Sequence, residues 1–395
     1  MKFQCLERNK KNKKSELTAI VDKALVDADF RKELVTNSFY WFLHIYFPDY
    51  LEHPSADFHK EMIEILQNLR TTFVCSAFRG SGKSTVVTLA YVLWSMLGTK
   101  SKKYIVICSN TARQTEILMH SIKNVLELHP LLKNDLGPFS ETAEQWNISS
   151  LIFTDYDAKI MGISVNESIR GIKHKNRRPD LIILDDVETL DTARNEDNRD
   201  KLLTWFDRDI TPLGAEKTNM VVIGTIMTAE SLIDTLKTRI ESGYLNGTFR
   251  KYPIITEDDQ ILWSSRWPDM ASIEEFRKNA GIVNRTWETE YLLNDYIKED
   301  QIITQDMIKY YDDLPFNKYT FMRGYLGVDL ASSDSPTASK TAIVRGYMFK
   351  VSGEPVLYIL PNPVNKRITV PETIDKIKQI TDSMKDARST RVFVE

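Results

Sequence analysis

The sequence predicts an α/β protein: a parallel sheet covered by helices on both faces, followed by a second unit whose strands come first. Three observations predict it. Apolar, β-branched runs of strand length alternate with helix-period segments between residues 71 and 224, the pattern of strands buried on both faces and joined by crossover helices. One such run ends in a glycine-rich turn, AFRGSGKST at 77–85, and another ends in acids, LIILDDVE at 181–188. After about residue 316 the order changes to three strands, a helix and a strand.

The elements follow in chain order. Residues 1–55 form a helical N-terminal segment in which a basic run, RNKKNKK at 8–14, is either a solvated tail or a contact for a partner or DNA. Helical pattern continues from about Glu16 to Leu51. The sheet domain spans 56–265 and opens with a helix at Asp57–Leu69, where Phe58, Met62, Ile65, Leu66 and Leu69 share one face. TTFVCSA (71–77) reads as a buried strand ended by the glycine turn, and Lys83 to Leu97 as the next helix. Strands at Tyr104–Cys108, Leu181–Leu184 and Met220–Gly224 alternate with helices at Thr111–Leu128 and Asn195–Trp205. Residues 266–315 are expected to bridge to the next domain, the stretch from about 265 to 299 being largely helical and polar. In 316–395, strands are expected at Tyr325–Leu330, Thr341–Phe349, Val356–Leu360 and Arg391–Val394, with a helix opened by Pro371 before the last.

Composition narrows the function classes. The chain has 395 residues, 42% of them hydrophobic, enough for two or three domains with their own cores. Its net charge of −3 offers no general positive field, so any nucleic-acid contact must come from local basic patches. Three cysteines, Cys5, Cys75 and Cys108, lie far apart without a Cys-x-x-Cys pair, which argues against a disulfide framework or structural zinc and for a reducing compartment. The longest apolar runs are strand-length, too short to span a bilayer, and no signal peptide is read.

The glycine turn carries the first chemistry. Ala77 stands where the eight-residue phosphate-loop pattern has its first glycine, but Gly82-Lys83-Ser84 is intact. In that context, between a strand and a helix, the N–H groups around Gly80, Ser81, Gly82 and Thr85 can curl about phosphates, Lys83 can reach the β and γ oxygens, and the Ser84 hydroxyl can ligate Mg²⁺. The acidic strand supplies the partner group: Asp185 would be delivered to the metal, with Asp186 or Glu188 orienting and deprotonating the attacking water. Alternation along a strand puts Asp186 and Glu188 on the face opposite Asp185. Both motifs together indicate a P-loop NTPase sheet of the ASCE, RecA-like kind, with a further strand between the two motif strands. Arg79, inside the loop, either approaches the γ-phosphate to neutralise charge developing during transfer or faces solvent or DNA. Lys173, Lys175, Arg177 and Arg178, with Arg170, form an acid-free basic segment that can hold phosphates or stay solvated.

Taken together, these motifs resemble the large terminase subunits of tailed bacteriophages. The resemblance rests on FHKEM (58–62), AFRGSGKST (77–85), SIRGIKHKNRRPDLIILDDVE (168–188), VVIGTIMTAESLID (221–234) and WETEYLLND (287–295), in that order. It implies an ATP-driven motor that moves double-stranded DNA into a procapsid, working with Mg²⁺, a portal protein and a small terminase subunit as a homo-oligomeric ring. It implies a place in the host cell cytoplasm, docked on the procapsid only transiently, and no membrane. Residue by residue, it makes Arg79 the loop arginine, Lys83 and Ser84 the phosphate and metal residues, and Asp185 the metal acid. Gly224-Thr225 looks like the coupling motif that senses the γ-phosphate, and Phe58-His59 like the adenine-side motif, unless that pair is ordinary helix packing. The family's glutamate after the aspartate is replaced by Asp186, so the base stays open between Asp186 and Glu188.

The same resemblance assigns 316–395 to an RNase H-like nuclease that cuts concatemeric DNA with two Mg²⁺ or Mn²⁺ ions. Asp329 on its first strand and Glu395 on its fourth would be metal ligands, with Asp334 a further candidate. That fold needs another strand, helix and carboxylate after Glu395, so the nuclease is expected to be incomplete in these residues. Two other readings compete: a P-loop helicase or recombination ATPase, and a transposase-like nuclease with regulatory ATP binding.

Overall fold

The run before the glycine turn folds as an interior strand because its residues are uncharged, apolar or small, and both its faces can be covered. In a computed structural model of the chain, which describes residues 18–140, 143–165, 167, 172–228, 230–294, 309–330, 340–386 and 388–395, β1 (Thr72–Ala77) is buried along its whole length. The chain forms two compact units, residues 1–299 and 300–395.

In the first unit β1 belongs to an eight-stranded sheet. The others are β2 (Tyr104–Ser109), β3 (Gln145–Trp146), β4 (Ser150–Phe153), β5 (Ala158–Ser164), β6 (Leu181–Asp185), β7 (Asn219–Gly224) and β8 (Gly247–Tyr252), in the order β3-β4-β5-β2-β6-β7-β1-β8. From β5 to β8 all neighbours are parallel, while β3, β4 and β5 form an antiparallel meander at one edge. A further strand does separate the two motif strands, as expected: β7 lies between β1 and β6. Sequence reading assigns nothing to β3, β4, β5 or β8. β3 is two residues long, β4 and β5 are broken by Ser150, Lys159 and Ser164, and β8 carries Arg250 and Lys251 on an edge.

Alternation along the strands builds two cores. Phe73, Cys75, Ile105, Ile107, Ile183 and Val221 pack on one face, against α1 (Ala28–Asn37), α2 (Phe39–Tyr46), α3 (Asp57–Gln67), the helix through Thr85–Tyr91 into α4 (Val92–Leu97), and α5 (Ala112–Leu128). Val74, Val106, Cys108, Ile182, Leu184 and Val222 face the other way, against α8 (Glu196–Trp205) and α9 (Leu232–Glu241). Two shorter helices, α6 (Pro130–Leu136) and α7 (Leu190–Arg194), lie between α5 and α8 in the chain. Arg31 on α1 grips Asp135 on α6 through two bonds of 2.6 and 2.7 Å, and the Tyr46 hydroxyl donates to the same carboxylate, which ties the N-terminal helices to the sheet layer.

The stretch read as a polar helical bridge is helical over much of its described length, but it packs into the core of the first unit. Among its described residues only α10 (Met270–Asn279) is a regular helix of some length, and Trp267, Ile273, Trp287 and Tyr291 are buried in the same core as β1. Wide spacing of these residues along an otherwise polar segment hides them from a periodicity reading.

The second unit has β9 (Thr320–Asp329), β10 (Thr341–Val351), β11 (Glu354–Ile359) and β12 (Val364–Lys366), then α11 (Val370–Ser383) and β13 (Arg391–Val394). Strands β9, β10 and β11 are antiparallel neighbours, and β13 returns parallel beside β9. Ile380 and Ile377 of α11 cover Leu326, Val328 and Ile343.

Candidate functional site

The phosphate loop leaves the end of β1 at Phe78. Gly80 and Gly82 adopt φ of 80° and 81°, the left-handed region where a side chain would strain the backbone, and this explains glycine at both positions. Loop carbonyls are satisfied from outside the hollow: Gly80 O accepts from Arg266 Nη1 (2.8 Å), Ser81 O from His59 Nε2 (2.8 Å) and Gly82 O from the Val86 N–H (2.9 Å). Thr85 begins the wide-turned helical segment that follows.

Five side chains converge where this loop meets the end of β6. Asp185 is 4% exposed and accepts from Ser84 Oγ (3.2 Å) and Thr88 Oγ1 (2.6 Å). Burial, with Asp186 beside it, pushes its carboxyl up to about 6 despite those hydroxyls and Lys83. Lys83 Nζ lies 3.8 Å from Asp186 Oδ2. Asp186 has φ 47°, so strand alternation ends there, and its carboxylate turns to the lysine while its N–H donates to Ile223 O on β7.

Asp186 and Glu188 still line one small cavity, of about 10 Å³, together with Gly224, Thr225 and Leu232. Their surroundings differ. Asp186 is half-exposed, whereas Glu188 is buried and its Oε2 accepts the Leu232 N–H (2.9 Å) at the start of α9. Its other oxygen, Oε1, has no partner among the described residues, and burial pushes the carboxyl up to about 7. A Cβ on Gly224 would come within 3.2 Å of Asp186 Oδ1, so the glycine lets β7 approach this carboxylate.

Arg79 stands apart from this group. Its side chain is 66% exposed and its Nη1 donates to Glu290 Oε2 (2.6 Å), while the backbone N–H of Arg79 donates to Glu290 O (2.8 Å). Phe58 and His59 are buried among Phe78, Tyr252 and Trp263. Sequence reasoning missed Thr88, Arg266 and Glu290. Thr88 lies one helical turn beyond Ser84 and so on the same face, a spacing that could have found it. Glu290 lies within WETEYLLND, but nothing in that motif shows that it pairs with Arg79, and nothing local marks Arg266.

Of the basic segment, Lys175 and Arg177 pair with Asp157, and Arg178 donates to Pro212 O. Arg170 and Asp334 lie outside the described residues. In the second unit, register pairs Val394 with Val328, which brings Glu395 beside Asp329. The Glu395 N–H donates to Val328 O (2.9 Å), and both acids line a hollow of about 310 Å³ with Gly327, Ala342 and Phe393. No group of three or more His, Cys, Asp or Glu that could hold a metal occurs among the described residues. Nor is any helix among them long and apolar enough to cross a membrane.

No family model matches the chain, and no curated protein matches it. Solved structures similar to it include the HK97 bacteriophage large terminase, 16% identical at a TM-score of 0.45 over 87% of this chain and 70% of that one. The large terminase of a thermophilic bacteriophage, in complex with ATP-γ-S, is 10% identical, with a TM-score of 0.39 over 87% of this chain and 77% of that one. The Thermus phage P74-26 large terminase ATPase domain is 14% identical, with a TM-score of 0.37 over 64% of this chain and 97% of that one.

Proposed function

We propose that the chain is a viral DNA-packaging ATPase of the large-terminase kind, hydrolysing ATP at the phosphate loop and contributing the Asp329–Glu395 pair to a DNA-cleaving site. The observation that carries the first half is the convergence of Lys83, Ser84, Asp185 and Asp186 at the end of a parallel sheet, with β7 between the two motif strands. The five sequence motifs, in their order, supply the terminase reading.

In this reading Lys83 neutralises the β and γ oxygens and the loop N–H groups cradle them. Ser84 Oγ and Asp185 offer hydroxyl and carboxylate oxygens, a hard donor set that suits Mg²⁺. A bound Mg²⁺ would offset phosphate charge. Asp186, half-exposed beside Lys83, is the base that takes the proton of the attacking water, because Glu188 already serves the N-terminus of α9. Arg79, once free of Glu290, adds positive charge as transfer proceeds. Asp329 and Glu395 supply carboxylate oxygens for the cations of DNA cleavage. Double-stranded DNA, a portal, a small subunit and a ring of copies complete the proposal.

Lys83→Ala is expected to abolish Mg²⁺-dependent ATP hydrolysis in a phosphate-release assay. Unchanged turnover at saturating ATP would sink the phosphate-loop assignment.

A further inference from the structure

We propose that His59 is a positioning residue of the phosphate loop, whose Nε2–H holds the Ser81 carbonyl outward so that the loop is shaped for phosphate before nucleotide arrives. The inference rests on the nucleotide-binding reading above and replaces the base-recognition role that the Phe58-His59 resemblance implies.

The ring's tautomer follows from its contacts. Ala56 N–H donates to Nδ1 (3.0 Å), so that nitrogen carries no hydrogen and the ring proton sits on Nε2, 2.8 Å from Ser81 O. Both nitrogens are thereby committed to backbone, and none is left to read the edge of a base. The ring cannot swing away. It is 5% exposed, lies 3.8 Å between centroids from Phe58 and meets Trp263 edge-on at 4.6 Å. Burial lowers its pKa to about 4, so it is neutral at physiological pH.

A loop that offers N–H groups to phosphate turns its carbonyls the other way, and each buried carbonyl then needs a donor. His59 serves Ser81, and Arg266, stacked 4.4 Å over the Trp267 ring, serves Gly80 next to it. The two glycines between which Ser81 lies supply the left-handed turns, and these side chains keep the turns from relaxing. Without the His59 bond, nucleotide must reorder the loop as it binds, and the loss falls on the phosphates whatever base is attached.

Two amide substitutions separate the ring's bonds. In His59→Gln the amide reaches the place of Nε2 and keeps the Ser81 bond, whereas in His59→Asn it reaches only the place of Nδ1 and keeps the Ala56 bond. Calorimetry with Mg·ATP, Mg·GTP and tripolyphosphate should show His59→Asn weakened about tenfold toward all three, the loss expected for one unpaired buried acceptor, and His59→Gln within about threefold of wild type. Tripolyphosphate binding unchanged in His59→Asn, with lost preference for ATP over GTP, would overturn the proposal and make the ring a base reader. Equal loss in both variants would also overturn it. Failure of the wild-type chain to bind ATP or tripolyphosphate refutes the nucleotide reading instead. In that event ¹⁵N spectra of the imidazole still decide the contact: an Nε2–H tautomer upholds it and an Nδ1–H tautomer overturns it.

Discussion

Glu188→Gln separates a structural carboxyl from a catalytic one. Burial raises the Glu188 carboxyl from 4.5 to about 7, so ionising it in the folded chain costs about 3 kcal/mol at pH 8, at roughly 1.4 kcal/mol per pH unit. The sign follows from linkage. The folded pKa lies above the unfolded one, so its stabilising contribution is complete below about 4.5 and is lost as the pH rises through 7. Glutamine keeps an oxygen for the Leu232 N–H and never ionises. The variant should therefore melt close to wild type at pH 5 and about 5 °C above it at pH 8, taking about 2 °C per kcal/mol for a unit of this size. Its turnover should stay within about threefold of wild type. Asp186→Asn, by contrast, should bind ATP and lose turnover by about a hundredfold or more, the usual scale for removing a general base. Melting curves over pH 5–8 and steady-state hydrolysis test both halves. A melting difference that does not grow with pH would refute the burial argument, and loss of turnover with ATP binding kept in Glu188→Gln would make Glu188 the base.

Arg79→Ala should lower kcat at least about tenfold with little change in nucleotide affinity, since its contact is made mainly in the transition state. Glu290→Gln should raise basal turnover by up to about fivefold, because an exposed ion pair is worth at most about 1 kcal/mol; single-turnover rates unchanged in both variants would leave Arg79 a surface residue. In a protein that carries the complete nuclease fold, Asp329→Asn and Glu395→Gln should each remove Mg²⁺- or Mn²⁺-dependent cleavage of plasmid DNA and leave ATP hydrolysis intact, as the two sites sit in separate units. Cleavage that survives both changes would show that this pair is not a metal site.

Much of the phosphate site is legible in the sequence because its requirements are local. Left-handed turns call for Gly80 and Gly82, and a lysine and a hydroxyl must follow at once on the helix. Asp185 is legible for the same reason, as the end of an unbroken apolar strand. The placement of Asp186 is not, because alternation assumes an extended backbone and the residue is left-handed. Glu188 reads as a free acid until α9, more than forty positions away, is seen to start against it. The contacts of Arg266 and Glu290 are invisible for a similar reason: each residue meets the loop through tertiary packing of a segment whose few tryptophans and tyrosines are spread too widely to make a period. Asp329 and Glu395 are legible only as acids on strands, and the parallel return of β13 is what makes them neighbours.

The strand order has a consequence for how this chain is made. β1 emerges early from a ribosome, yet both its sheet neighbours, β7 and β8, are encoded far downstream: Thr72 is in register with Met220 and with Gly247. β2 finds its partners β5 and β6 sooner. Until the chain has grown past Gly224, the uncharged, β-prone run that ends in the phosphate loop has two open edges, and until it has grown past Tyr252 it has one, the condition under which nascent strands pair with the wrong chain. Its flanking helices, already synthesised, can shield its faces but not those edges. A stalled chain that ends before β7 is therefore the species for chaperones to hold.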